Sequence, residues 1–275
     1  MQAMNHRRAF TLVELVVVVA ILGILAALLL PALSRAKGQG QSVACKNHLG
    51  QIGRAMTMYV SDYNIYPSAG LEMRWAEQLA PYNPLPWTNL TWHCPAYLAE
   101  GGVVEWRLPP RYGGSYKLGT SYSYNGLGMV GSTFVTSGSI RDGFLRGPSL
   151  GLGDFTVRVA IHDQQVLAPS QMYAVGDARP RWQPNANDKG YFGWPMMQPW
   201  NTLFAFGMPL GAPNGAAEAS PPHSQGYNLL FADSHVALVK RKDYLYPPRT
   251  AQDWNRDNQP HPELWSASSE WAVQN

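Results

Sequence analysis

A lone carboxylate stands inside the most apolar part of this chain. Glu14 is the single charged residue between Phe10 and Leu30, a run dominated by Val, Leu, Ile and Ala that Arg7 and Arg8 precede and Pro31 closes. About 20 apolar residues are enough to cross a bilayer as a helix. A charge within such a span costs roughly 2.5–3.5 kcal/mol, so Glu14 requires a compensating partner. An ordinary secretory signal has a shorter apolar core and a small-residue cleavage site after it. Here Leu15 to Leu30 carries no polar side chain and no Ala-x-Ala site follows. A plain membrane anchor has no use for an acid at this position.

Two further groups of residues are of a chemical type. Asp177, His223, Asp233 and His235 are donors suited to zinc or another divalent ion, and they are the expected ligands if the head holds a metal. Asp233 and His235 are two apart, so a regular strand puts them on one face. The competing reading is turn chemistry, with Asp233 bonding backbone amides and His223 bonding a neighbouring loop. Cys45 and Cys94 are the two cysteines, and Cys94 sits in Trp-His-Cys-Pro rather than in a CxxC motif. A disulfide between them and a pair of buried thiols both fit the sequence.

Catalysis is not expected. Gly147-Pro148-Ser149-Leu150-Gly151 matches G-x-S-x-G, with Asp177 and His223 following in hydrolase order. That motif needs a strand-to-helix turn, and the Gly- and Pro-rich surroundings read as a loop. No P-loop, H-E-x-x-H or G-x-G-x-x-G occurs, so no cofactor beyond a divalent metal is suggested.

The elements that carry these residues are legible in outline. Leu49, Ile52, Met56, Tyr59 and Val60 recur at helical spacing. One helix is therefore predicted from Phe10 to Asp62, membrane-spanning to about Leu30 and amphipathic after it, with Gly38, Gly40, Gly50 and Gly53 weakening it. The remainder, 63–275, is long enough for one domain with its own core. Charged residues are only 14%, against about 25% in an average domain, and the chain holds 26 Gly, 22 Pro, 14 Tyr and 10 Trp. That composition predicts a loop-rich β head packed by aromatics. Leu71–Ala80 reads as a short helix, Phe155–Ile161, Gln165–Leu167 and Met172–Val175 as strands, and Tyr227–Phe231 with His235–Val239 as a hairpin around Ala232-Asp233-Ser234. The tail, with Trp254, Trp265 and Trp271, is expected to drape over the head. Net charge is +3, with no basic stripe, and nucleic acid is not an expected partner.

Ala9-Phe10-Thr11-Leu12-Val13-Glu14, the apolar run and Pro31 together resemble the N-terminus of type IV prepilins and type II secretion pseudopilins. The resemblance implies an α+β pilin-like fold in which the long helix packs on an antiparallel sheet. It implies a leader of residues 1–9, cut between Ala9 and Phe10 by a prepilin peptidase that also methylates Phe10. The family usually has Gly where this chain has Ala9. Glu14 is then expected to pair with the amino terminus of a neighbouring subunit's Phe10 during assembly. Other pilin or pseudopilin subunits, an inner-membrane platform and a cytoplasmic ATPase are the implied partners. The basic flank Arg7-Arg8 keeps the start cytoplasmic, which puts a single-pass protein in the inner membrane, its head in the periplasm, and after assembly in an extracellular filament.

His223, nine residues, then Asp233-Ser234 resembles the His-X9-Asp-Gly hallmark of a prepilin-associated head family, with Ser234 in place of Gly. Cys94-Pro95 and Phe231-Ala232-Asp233-Ser234-His235-Val236 are further echoes. Some pseudopilin heads bind calcium, a precedent by analogy for a metal here. The alternative to a filament subunit is a membrane-anchored envelope protein whose head binds glycan or metal without polymerising.

Overall fold

Leu12–Tyr63 form one helix, α1, in the computed structural model. The model describes residues 12–69, 74–99, 101–103, 106–107, 117–118, 120–126, 128, 150–153, 160–178, 180–182, 191–193, 223, 226–244 and 250–262. Pro31 lies within the helix. Asn64 ends it in the left-handed region at φ 56°, its N–H donating to the Val60 carbonyl at 2.7 Å. Asn is one of the few residues that adopts that conformation cheaply at a helix end.

The chain divides into two compact units, Met1–Gly40 and Gln41–Asn275. In the first, the side chains from Leu12 to Leu33 are exposed, Leu12, Leu22 and Leu30 among them. A helix that is apolar all round belongs in lipid or in a protein core. Composition and length allow this stretch to cross a membrane.

In the second unit the helix turns one stripe inward. Cys45, Leu49, Ile52, Ala55, Met56 and Tyr59 are buried, at the three- and four-residue spacing of a single face. They pack on Trp75 of α2 (Arg74–Leu79), Tyr97 of α3 (Pro95–Ala99), and Trp92. Each fully buried large side chain contributes roughly 1.5–3 kcal/mol of transfer free energy.

Among the described residues nine strands follow in chain order: β1 (Gly102–Val103), β2 (Trp106–Arg107), β3 (Lys117–Leu118), β4 (Tyr122–Tyr124), β5 (Tyr173–Asp177), β6 (Pro180–Trp182), β7 (Tyr191–Gly193), β8 (Gly226–Phe231) and β9 (Val236–Lys240). The central sheet is four-stranded and antiparallel, in the order β4-β5-β8-β9. A smaller sheet has the order β1-β7-β6, and β2 pairs with β3. The fold is thus α+β and pilin-like, with a long apolar N-terminal helix and an antiparallel sheet.

Alternation along β8 explains the two-sided core. Leu230 joins the cluster under α1, with Tyr122, Tyr124 and Val175. Tyr227, Leu229 and Phe231 join Tyr173, Tyr244 and Trp254 in a second cluster. Successive strand residues point to opposite faces, so this sheet is covered on both. Part of the tail supplies the second cover, since Trp254 is fully buried. Buried Asn125 latches it, its side-chain amide donating to the carbonyls of Tyr173 at 2.8 Å and Trp254 at 3.0 Å. Trp265 and Trp271 lie outside the described residues.

The hairpin turn meets the helix at Gly53. A Cβ there would come within 2.7 Å of Leu230 Cδ1 and 3.2 Å of Ser234 Cβ. The sequence reads Gly53 as a weak point of the helix; in the fold it is where the turn makes close approach. Ser234 keeps the left-handed backbone that Gly would favour, at φ 75°. Its hydroxyl bonds the Gly53 carbonyl at 2.9 Å and the Thr57 hydroxyl at 2.7 Å. The strain of about 1–2 kcal/mol is offset by these bonds, each worth about 1 kcal/mol. Ser234→Ala is therefore expected to destabilise by about 1–2 kcal/mol, and Ser234→Gly by about 1 kcal/mol less. Urea unfolding that ranks Gly below Ala would reject this account.

Two sequence expectations need correction. Gln165–Leu167 is not a strand; Asp163–Gln165 form a 3-10 turn, because the Gln165 side chain accepts from the His162 N–H at 2.8 Å and Asp163 from the Gln164 N–H at 2.8 Å. Local side-chain bonds of this kind outcompete a ladder. Helix α2 ends at Leu79, one residue before the expected Ala80, and Pro81 sits inside a 3-10 turn, Ala80–Tyr82, while Leu71 to Met73 lie outside the described residues. Phe155 to Val159 lie outside the described residues.

Candidate functional site

Two places carry chemistry, and each belongs to one unit. The first is Glu14, in the first turn of α1 and exposed. Its neighbours Leu12, Val13, Leu15 and Val16 are exposed too. Any environment that covers this apolar surface also takes the carboxylate out of water, and a buried carboxylate is tolerated when paired. Ala9 and Phe10 lie outside the described residues.

The second place is buried in the head. Cys45 comes from α1, and Cys94 immediately precedes α3, whose first residue is Pro95. Proline suits a first helical position, and the turn it starts aims Cys94 at the helix. The two sulfurs form a disulfide, with Cα atoms 5.0 Å apart and both residues fully buried. The Cys94 N–H donates to Ser121 Oγ at 2.8 Å. His93 is held alongside, Nε2 donating to the Trp87 carbonyl at 2.7 Å and Nδ1 accepting from the Ser121 N–H at 3.3 Å. Burial pushes the His93 pKa down to about 4, so it is a neutral spacer.

Asp177 ends β5, and His223 bridges to Gly226 at the start of β8. Antiparallel pairing of β5 with β8 brings them together: His223 Nε2 lies 3.4 Å from Asp177 Oδ2 and 3.5 Å from Cys94 Sγ. Asp177 Oδ2 also accepts the Asn228 N–H at 2.7 Å. Asp177 Oδ1 and His223 Nδ1 are buried with no hydrogen-bond partner among the described residues. Burial pushes Asp177 up to about 8. Burial, and then the charge of Lys46, push His223 down to about 4. Both shifts favour a neutral acid beside a neutral imidazole over an ion pair.

Of the four residues expected to share a metal, the structure joins Asp177 and His223 and separates Asp233 and His235. The latter two sit at the turn between β8 and β9, where Asp233 Oδ1 bonds His235 Nδ1 at 2.6 Å and accepts the His235 N–H at 3.1 Å. The reason is strand length. The strand β8, Gly226–Phe231, lies between the two places, and six strand residues span about 20 Å. A spacing of nine residues between His223 and Asp233 thus places them toward opposite ends of one strand. What sequence reasoning missed is the companionship of the cysteines with Asp177 and His223. Its one available signal was that His223 stands just before the strand with which Asp177's strand pairs. Ser149 of the G-x-S-x-G motif lies outside the described residues.

Comparison with known proteins bears on the first site. A family model described as the prokaryotic N-terminal methylation motif matches residues 4–30. The chain is similar to the type II secretion system core protein G of Pseudomonas aeruginosa, 35% identical over 108 residues, which is 39% of this chain and 74% of that protein. It is 36% identical over 137 residues to the type II secretion system core protein G of Vibrio cholerae, covering 49% of this chain and 82% of that one. No solved structure matches the chain.

Proposed function

The chain belongs to the family of the type II secretion system core protein G, the pseudopilins, and from that premise we propose that it is a structural subunit of a pseudopilus, processed and assembled through its N-terminal helix. The observation that carries this reading is Glu14, set in the apolar stretch of α1 and inside the segment that matches the methylation motif. Cleavage falls between Ala9 and Phe10. It frees an α-amino group four residues before Glu14 in the sequence. That ammonium, on a neighbouring subunit, is the counter-charge that the carboxylate needs. A prepilin peptidase supplies the cut and the methyl group. The apolar surface from Leu12 to Leu33 sits in the inner membrane before assembly and against other subunits' helices after it. Arg7 and Arg8 keep the start of the chain cytoplasmic, so the head faces the periplasm. No catalytic step is assigned to the chain.

The test is intact and N-terminal mass spectrometry of the protein from membrane and sheared-surface fractions. The expected result is a chain that begins at N-methylated Phe10. A chain that retains Met1 to Ala9 would reject the processing step, and with it assembly by this route.

A further inference from the structure

The head buries two polar side chains beside a disulfide that does not need them. Asp177 is fully buried and His223 is 4% exposed. Burying a carboxyl and an imidazole costs free energy, and here it leaves Asp177 Oδ1 and His223 Nδ1 without a hydrogen-bond partner among the described residues while Asp177 Oδ2 and His223 Nε2 face each other and the Cys94 sulfur. Meanwhile one ligand-type atom from each of Cys45, Cys94, Asp177 and His223 lies within 4.8 Å of the others. We propose that these four residues form a divalent-metal site of the zinc class when the two sulfurs are reduced, and that the disulfide is its metal-free form.

The dimensions fit. A tetrahedral centre with Zn–N near 2.0 Å and Zn–S near 2.3 Å spaces its ligand atoms about 3.3–3.8 Å apart. His223 Nε2 is already 3.4 Å from Asp177 Oδ2 and 3.5 Å from Cys94 Sγ. Breaking the sulfur–sulfur bond leaves each sulfur free to take its place at that spacing. The donor chemistry fits too: two thiolates, one imidazole and one carboxylate are a zinc set, closed at four and without an open position. The role is therefore structural rather than catalytic. Two thiolates and a carboxylate outweigh a dication by one negative charge, and the nearby Lys46 ammonium, whose charge reaches His223, balances it. The ligands are themselves held in place, since the Asn228 N–H donates to Asp177 Oδ2 and the Cys94 N–H donates to Ser121 Oγ.

The steps balance. A dithiol reductant gives two electrons and two protons to the Cys45–Cys94 bond, which breaks into two thiols while the reductant closes its own disulfide. The metal ion then displaces both thiol protons, and the Asp177 proton where one is present. Disulfide and metal exclude each other, because an oxidised sulfur is no longer a thiolate ligand.

The experiment uses the full chain in detergent, reduced with a phosphine and titrated with cobalt as the spectroscopic stand-in for zinc. The expected result is one equivalent bound, with thiolate-to-cobalt charge transfer and the ligand-field bands of a tetrahedral centre, displaced by zinc and absent from the oxidised chain. Asp177→Asn and His223→Ala should each weaken binding at least about tenfold and alter the ligand-field bands. The double variant Asp233→Ala/His235→Ala should bind as the parent does. A reduced, folded chain without these bands, or variants at Asp177 and His223 that bind as the parent does, would overturn the site. So would loss of binding in the turn variant, or bands of equal strength in the oxidised chain. If reduction alone unfolds the head, refolding the reduced chain with zinc must restore its native circular dichroism. Failure to do so also overturns the proposal.

Discussion

A chain carrying Cys45→Ala and Cys94→Ala is expected to be less stable than the oxidised parent by about 4 kcal/mol. The disulfide closes a loop with a sequence separation of 49 residues. Chain-entropy reasoning assigns about 4 kcal/mol to a loop of that size. The lost sulfurs also leave space in a core where Leu49, Trp92 and Tyr97 are tightly buried, which adds to the cost rather than relieving it. The bond matters topologically as well. It ties α1 to the segment before α3, so without it the helix's hold on the head rests on its apolar stripe and on side-chain bonds at Ser42, His48, Gly53, Thr57 and Asp62. Equilibrium urea unfolding of the detergent-solubilised full chain, followed by tryptophan emission, measures the difference. A loss below about 1 kcal/mol would mean that the unfolded state is already compact around these residues, and the loop argument would fail.

The parts of this molecule that were legible in the sequence are those with a period. The helical stripe of Leu49, Ile52, Met56 and Tyr59 is buried as one face of α1. The apolar runs flanking Ala232-Asp233-Ser234 pair as β8 and β9. What was not legible lacks a period or depends on distant chain. Asp163 and Gln165 decide a turn by side-chain bonds that composition does not reveal. The buried cluster draws one residue each from α1, the start of α3, β5 and the approach to β8, and no spacing rule joins them. The sequence offered His223 with Asp233 because they form a motif, whereas the fold offers His223 with Asp177 because strands pair. Ser234 shows a middle case. Its departure from Gly is visible in the sequence, but the compensation, hydroxyl bonds to α1, is visible only in the fold.

Replacing Glu14 by Ala is expected to abolish filament recovery while leaving cleavage at Ala9–Phe10 intact. The two effects separate because they rest on different physics. Cleavage concerns the peptide bond before Phe10 and the apolar span that presents it, and Glu14→Ala makes that span more apolar. Removing the charge favours the membrane-inserted monomer by roughly 2.5 kcal/mol or more. Assembly concerns the counter-charge. A processed subunit carries an α-amino group that is protonated near neutral pH, and without Glu14 the neighbour's ammonium enters the packed helices unpaired. Removing one partner of a buried ion pair costs about 3–5 kcal/mol, which lowers each docking equilibrium by about two to nearly four orders of magnitude. Both terms push the same way, toward monomer in the bilayer and away from filament. Glu14→Gln keeps the shape and loses the charge, so it should fail like Ala, whereas Glu14→Asp keeps the charge on a shorter arm and should recover part of the yield. Sheared-filament yield, set against the mass of the processed chain in the membrane, measures both quantities in one preparation. A parental yield from Glu14→Ala would remove the carboxylate from assembly and leave the apolar surface of Leu12 to Leu33 as the whole driving force.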